Sequence, residues 1–217
     1  MDNENNGVLG KIRMPISVIA SYYFDIYKNT KDSRIVQTKA DNIDTYAVRL
    51  KDIINTVKHK TNRDKVIIVA HSMGGLVVRR YMQIFGNNEI DKLIMIGTPN
   101  NGIEGQILNY CSIFGAKSEC DDMSKDSLFI NKLNRNPAIN ISQYNIIGLG
   151  CDTNGEDGDG VVTKSSANLN GAENFFIQGS CPKTFEYLHN DLINPEKYPD
   201  VFRIIVDSLK EQNKSIL

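Results

Sequence analysis

Ser72, Asp159 and His189 are three residues whose types could together perform acyl chemistry. A serine hydroxyl becomes a nucleophile when an imidazole takes its proton. The imidazole needs a carboxylate to fix its tautomer and stabilise its cation. The chain offers three histidines, His59, His71 and His189, so the choice of base is narrow. His59 sits between Lys58 and Lys60 on the polar end of a helical pattern and reads as a solvated surface group. His71 directly precedes Ser72. Successive strand residues point to opposite faces, so its ring turns away from the hydroxyl and is expected near the oxyanion region, in contact with substrate. That leaves His189, in Tyr187-Leu188-His189-Asn190-Asp191-Leu192, as the candidate base.

The acid belongs in the loop over 150–162, which holds Asp152, Glu156, Asp157 and Asp159. Asp159 is favoured because Gly158 and Gly160 permit a sharp turn, while Val161 and Val162 re-enter the core and anchor it. Asp157 is the substitute. A calcium loop is the competing reading, since Asp152, Asn154 and Glu156 alternate as in an EF-hand, but the glycine is misplaced and Thr163 stands where the closing glutamate belongs. No metal or organic cofactor is needed for the serine chemistry.

These side chains must be positioned by regular elements, and the clearest surround Ser72. Residues 66–69 are four β-branched residues that read as a buried strand, and residues 73–85, closed by Gly86, read as a buried helix. Only a sharp turn remains between them. A serine there sits in a strained backbone, which explains the small Ala70, Gly74 and Gly75 around it. The first N–H of the helix, from Met73, together with the helix dipole, is placed to stabilise an oxyanion. Further strands are expected at 16–24, 92–96, 144–149 and 174–177, and helices at 41–61, 124–134 and 199–210. Strands alternating with helices imply an α/β fold, a mostly parallel doubly wound sheet with helices on both faces, whose sites lie beyond the carboxyl ends of the strands. Residues 1–217 read as one domain, with 103–137 an irregular lid or cap insertion.

Composition excludes several classes. A net charge of -1 gives no reason to expect nucleic acid or an anionic membrane surface as a partner. No apolar run approaches the roughly 20 residues of a membrane span, and Met1-Asp2-Asn3-Glu4-Asn5-Asn6 is unlike a signal peptide, so a cytoplasmic location is expected. Cys111, Cys120, Cys151 and Cys181 match no metal-ligand spacing and are expected as free thiols; Cys111 with Cys120 is the first pair to consider in a secreted chain.

Four motifs occur in order: Ala-His-Ser-Met-Gly-Gly-Leu-Val-Val-Arg-Arg-Tyr, Ile-Gly-Thr-Pro-Asn-Asn-Gly, Gly-Asp-Gly-Val-Val and Leu-His-Asn-Asp-Leu. Together they resemble the bacterial lipase and esterase branch of the α/β-hydrolases, and within it the lecithin-cholesterol acyltransferase-like and inositol-deacylase-like groups. The resemblance implies a serine hydrolase of carboxylic esters with Ser72 as nucleophile, Asp159 as acid, His189 as base, Met73 as an oxyanion donor and an ester or lipid-like substrate. The same fold also serves acyltransferases, thioesterases and non-catalytic binding proteins. The family's first strand ends in His-Gly, a pair this chain does not contain. An N-terminal strand and helix are therefore expected to be missing, with residues 1–12 the end of that helix; alternatively, the strand at 16–24 moves over to pair with the strand before Ser72.

Overall fold

The computed structural model describes residues 17–21, 24–29, 32–37, 41–114, 116–135, 141–181 and 188–211. A hairpin of β1 (Phe24–Asn29) and β2 (Asp32–Gln37) is followed by α1 (Ile43–Thr61), β3 (Val66–His71), α2 (Met73–Phe85) and β4 (Ile90–Ile96). Three helices come next, α3 (Gly105–Phe114), α4 (Lys117–Met123) and α5 (Leu128–Asn134). Then come β5 (Ser142–Leu149), a small hairpin of β6 (Cys151–Thr153) and β7 (Glu156–Gly158), α6 (Lys164–Ala167), β8 (Glu173–Gln178), α7 (Leu188–Asp191) and α8 (Pro199–Lys210).

The central sheet has the order β3-β4-β5-β8, and its neighbouring strands are all parallel. β4 is covered on both faces, which is why it reads as an unbroken apolar run rather than an alternating one. Leu93 and Met95 pack with Ala47 and Ile54 of α1 and Val78, Tyr81 and Met82 of α2. Ile94 and Ile96 point the other way, into a cluster with Tyr144 and Ile146 of β5, Leu188 and Val201. Each such side chain taken out of water contributes about 2 kcal/mol of transfer free energy. α1 begins at Asn42, whose side chain accepts the Thr45 N–H, and ends at Asn62 in the left-handed region.

The strand expected at 16–24 is corrected. Residues 17–21 have no regular structure and are exposed, while Ile16 and residues 22–23 lie outside the described residues, as do residues 1–12. Strand structure begins instead at Phe24, in an antiparallel hairpin running from Phe24↔Gln37 to Asn29↔Asp32. A nearby partner closes a short loop at little entropic cost, so local pairing captures the strand-forming residues. Among the described residues, β3 is therefore an edge strand, with Ile67 and Val69 40% and 46% exposed.

The insertion after β4 folds into α3, α4 and α5 and is tied down at many points. Ile103 forms a parallel bridge with Ser124. The Tyr46 hydroxyl donates to Glu119, the Ile43 N–H donates to Asp122 Oδ2 at 3.0 Å, and the Ser118 hydroxyl donates to the Asp41 carbonyl at 3.1 Å. Arg79 of α2 is buried and donates to both oxygens of Asn100 and to Asn134 Oδ1. Burial lowers its pKa to about 10. The helix expected at 124–134 is shorter than the pattern implied, because Ser127 caps it by accepting the Ile130 N–H.

α2 reaches β4 closely at Gly75, where a Cβ would fall inside van der Waals contact with the Thr98 side chain. Gly75→Ala is expected to destabilise the fold by about 1–3 kcal/mol through overpacking. Urea unfolding monitors this, and an unchanged midpoint would mean that the helix can retreat freely from Thr98.

Candidate active site

Ser72 has φ 54° and ψ -132°, a positive φ that non-glycine residues rarely adopt. Its neighbours hold it there. The Ser72 N–H donates to the Ile96 carbonyl at 2.9 Å, and the Ser72 carbonyl accepts from Thr98 Oγ1 at 2.9 Å and from the Gly75 N–H at 3.1 Å. Met73 is the first residue of α2, so its N–H has no acceptor within the helix. The Met73 side chain is buried among Ile43, Tyr46, Ile130 and Leu133, which couples this turn to α1 and to the insertion.

Asp159 and His189 meet directly. Asp159 Oδ2 lies 2.7 Å from His189 Nδ1, with Asp159 1% and His189 4% exposed. The other carboxylate oxygen accepts the N–H groups of Val161 at 2.9 Å and Val162 at 2.7 Å, while the two valines re-enter the core beside Ile147 and Ala167 as expected. The His189 N–H donates to the Asp159 carbonyl at 2.9 Å. Asp157 turns outward to accept the Gly150 N–H, and Asp152 and Glu156 accept from Gly155 and Ser165. No cluster of three or more metal-ligating side chains forms among the described residues.

Gly97, at the end of β4, brings these groups together and was not singled out by the sequence pattern. Its φ is +56°, and a Cβ there would lie 3.0 Å from Asp159 Oδ2 and 3.0 Å from His189 Nδ1. The carbonyl of the preceding Ile96 accepts the Ser72 N–H, and the Gly97 N–H donates to the Ile146 carbonyl at 2.9 Å. The signal that could have found it is a glycine directly after a buried parallel strand, where this architecture places sites.

His71 makes a contact that the sequence pattern does not foresee. Its Nε2 is 2.9 Å from the His189 carbonyl oxygen and its ring centroid is 4.7 Å from that of His189, so the nitrogen is committed to the protein rather than turned toward a substrate. Burial, with the neighbouring His189 adding to it, lowers its pKa to about 4. His59 is exposed on α1, as expected.

The free-thiol expectation is overturned by two disulfides, Cys111–Cys120 and Cys151–Cys181, with no free cysteine among the described residues. Cysteines 30 residues apart meet because the loop that carries Asp159 starts at the end of β5 and returns beside the end of β8. Cys181 Sγ lies 3.9 Å from the Asp159 carbonyl oxygen. A cleft of about 140 Å³ opens between the start of the insertion, at Ile103 and Ile107, and the loop bearing Thr153 and Val161.

A parallel sheet flanked by helices, with a strained serine at a strand-to-helix turn and an Asp–His pair across the next strand end, defines an α/β-hydrolase architecture. The chain belongs to the family described as alpha/beta hydrolase of unknown function (DUF915), which matches residues 22–186. No curated protein matches it. Among solved structures, the mature lipase BlEst2 of Bacillus licheniformis is similar at 17% identity and TM-score 0.57, covering 77% of each chain. Phospholipase PlaB of Legionella pneumophila is similar at 17% identity and TM-score 0.60, over 80% of this chain and 48% of that one. The lin2722 product of Listeria innocua is similar at 17% identity and TM-score 0.53, over 87% of this chain and 77% of that one.

Two predictions follow from this geometry. Replacing Cys151 and Cys181 by serine is expected to cost about 3–4 kcal/mol from the long loop released, against about 2–3 for Cys111 and Cys120, by urea unfolding. An equal loss for the two pairs would contradict this ordering. The second concerns pH. His71 stays neutral in the fold down to about pH 4, whereas the unfolded chain titrates it near 6.5. Its contribution is whole above about 6.5 and is lost as pH falls towards 4, by about 3 kcal/mol. Urea midpoints at pH 7 and 4.5 should therefore differ less in His71→Gln than in the wild-type chain.

Proposed function

We propose that this chain is a serine hydrolase acting on carboxylic esters, with Ser72 as nucleophile, His189 as base and Asp159 as the acid that orients it. The observation that carries the reading is the 2.7 Å contact of Asp159 Oδ2 with His189 Nδ1, beside a serine held at φ 54°. His189 Nε2 takes the Ser72 proton as Oγ attacks the ester carbonyl, and Asp159 stabilises the resulting imidazolium. The Met73 N–H, aided by the dipole of α2, binds the oxyanion. Collapse of the tetrahedral adduct expels the alcohol, which takes the proton from His189. A water then repeats the sequence and releases the acid.

The similarity to a lipase and a phospholipase is consistent with an ester substrate. The four sequence motifs support the lecithin-cholesterol acyltransferase-like and inositol-deacylase-like branch. We read residues 1–217 as one hydrolase domain with 103–137 as its cap. Among the described residues, no strand pairs with the outer edge of β3. No helix among the described residues is long and apolar enough to cross a membrane. The two disulfides favour an oxidising compartment over the cytoplasm.

Fluorophosphonate labelling tests the reading, with the modified peptide located by mass spectrometry. Labelling is expected at Ser72 and is expected to vanish in Ser72→Ala, while Asp159→Asn should slow ester turnover about 10⁴-fold by stabilising the wrong tautomer of the base. A folded chain that takes up no label would refute a hydrolase and leave a ligand-binding role.

A further inference from the structure

We infer that His71 is a positioning residue that ties the base to the nucleophile strand through the hydrogen bond from its Nε2–H to the His189 carbonyl oxygen. The inference rests on the hydrolase reading, since it concerns how that base is held.

A carbonyl oxygen only accepts, so at 2.9 Å the donor must be His71, which fixes its tautomer with the proton on Nε2. The burial that keeps this imidazole uncharged leaves it able to donate without placing a second cation beside His189. The geometry around the base is then complete. His189 Nδ1 is fixed by Asp159 Oδ2, its N–H by the Asp159 carbonyl, and its carbonyl by His71, while the two rings pack at 4.7 Å. The first two contacts come from one loop, while Leu188 and Leu192 on either side of the base pack into the core with Ile94 and Ile96. Only the third, of these three bonds, reaches the strand that carries Ser72. His71 and Ser72 are consecutive, so the bond sets the separation of base and nucleophile across a turn whose backbone is itself constrained. A misplacement of about 1 Å between reacting groups costs on the order of 10²-fold in rate, which makes one such tie consequential.

The test compares His71→Leu, His71→Phe and His71→Gln with the wild-type chain, using p-nitrophenyl butyrate hydrolysis, fluorophosphonate labelling of Ser72 and thermal melting. Leucine and phenylalanine fill space without donating, and phenylalanine keeps the aromatic contact. Glutamine places an amide N–H where Nε2 stands. Leucine and phenylalanine are expected to lower kcat about 10- to 100-fold with KM within about twofold, whereas glutamine restores kcat to within about threefold of wild type. If leucine does not fold, the phenylalanine and glutamine variants decide. Equal kcat in phenylalanine and wild type, equal losses in glutamine and phenylalanine, or a loss expressed in KM alone would each overturn the positioning role. A wild-type chain that neither hydrolyses the ester nor takes the label would instead remove the hydrolase reading.

Discussion

The backbone of Ser72 is the constraint on which the rest of the site depends. A serine at positive φ stores of order 1–3 kcal/mol of strain and persists only where the surroundings over-determine it. Here the Ile96 carbonyl holds its N–H, and the Thr98 hydroxyl and the Gly75 N–H hold its carbonyl. Gly75 has no side chain, so Thr98 can come close enough to make its bond. The strain is held by the end of β4 and the first turn of α2, not by the serine side chain. That leaves the hydroxyl available for chemistry.

The same strand end organises the Asp159–His189 pair. Gly97 has no Cβ, and the pair occupies the space beside it. A side chain at position 97 would meet both the carboxylate and the imidazole, so the nearness of the two halves of the site is a packing consequence of one glycine. Asp159 then needs no charged partner to orient it, because the backbone N–H groups of Val161 and Val162 take one oxygen and leave the other for His189. The disulfide from Cys151 to Cys181 closes the loop that makes this arrangement possible.

The legible parts of the sequence were those where local pattern and tertiary need agree. β3 and α2 were readable as elements, and the helix at Met73–Phe85 ends at Gly86 as its pattern implied, but the burial expected of 66–69 is corrected, since Ile67 and Val69 are exposed. The Asp159 turn was readable because its flanking glycines permit a sharp turn and Val162 re-enters the core. What the pattern left open was partnership. A β-rich run at 16–24 carries no information about which strand it pairs with, and the described strand starts at its last residue in a local hairpin. Disulfides join residues distant in sequence, and spacing alone could not bring Cys151 to Cys181. The contact of His71 with the His189 carbonyl on α7 was not foreseen, because it joins residues far apart in sequence.

The open edge of β3 leaves these contacts intact. Among the described residues, the bonds that hold the Ser72 backbone come from β4, Thr98 and α2, and those that hold His189 come from the loop after β5 and from His71. None comes from the outer edge of β3. β3 pairs β4 from Val66↔Ile90 to His71↔Ile96, with a register shift after Val66, while Ile67 and Val69 are exposed on one face of the sheet. The relation of nucleophile to base is set on the other side of the strand, by residues already in place.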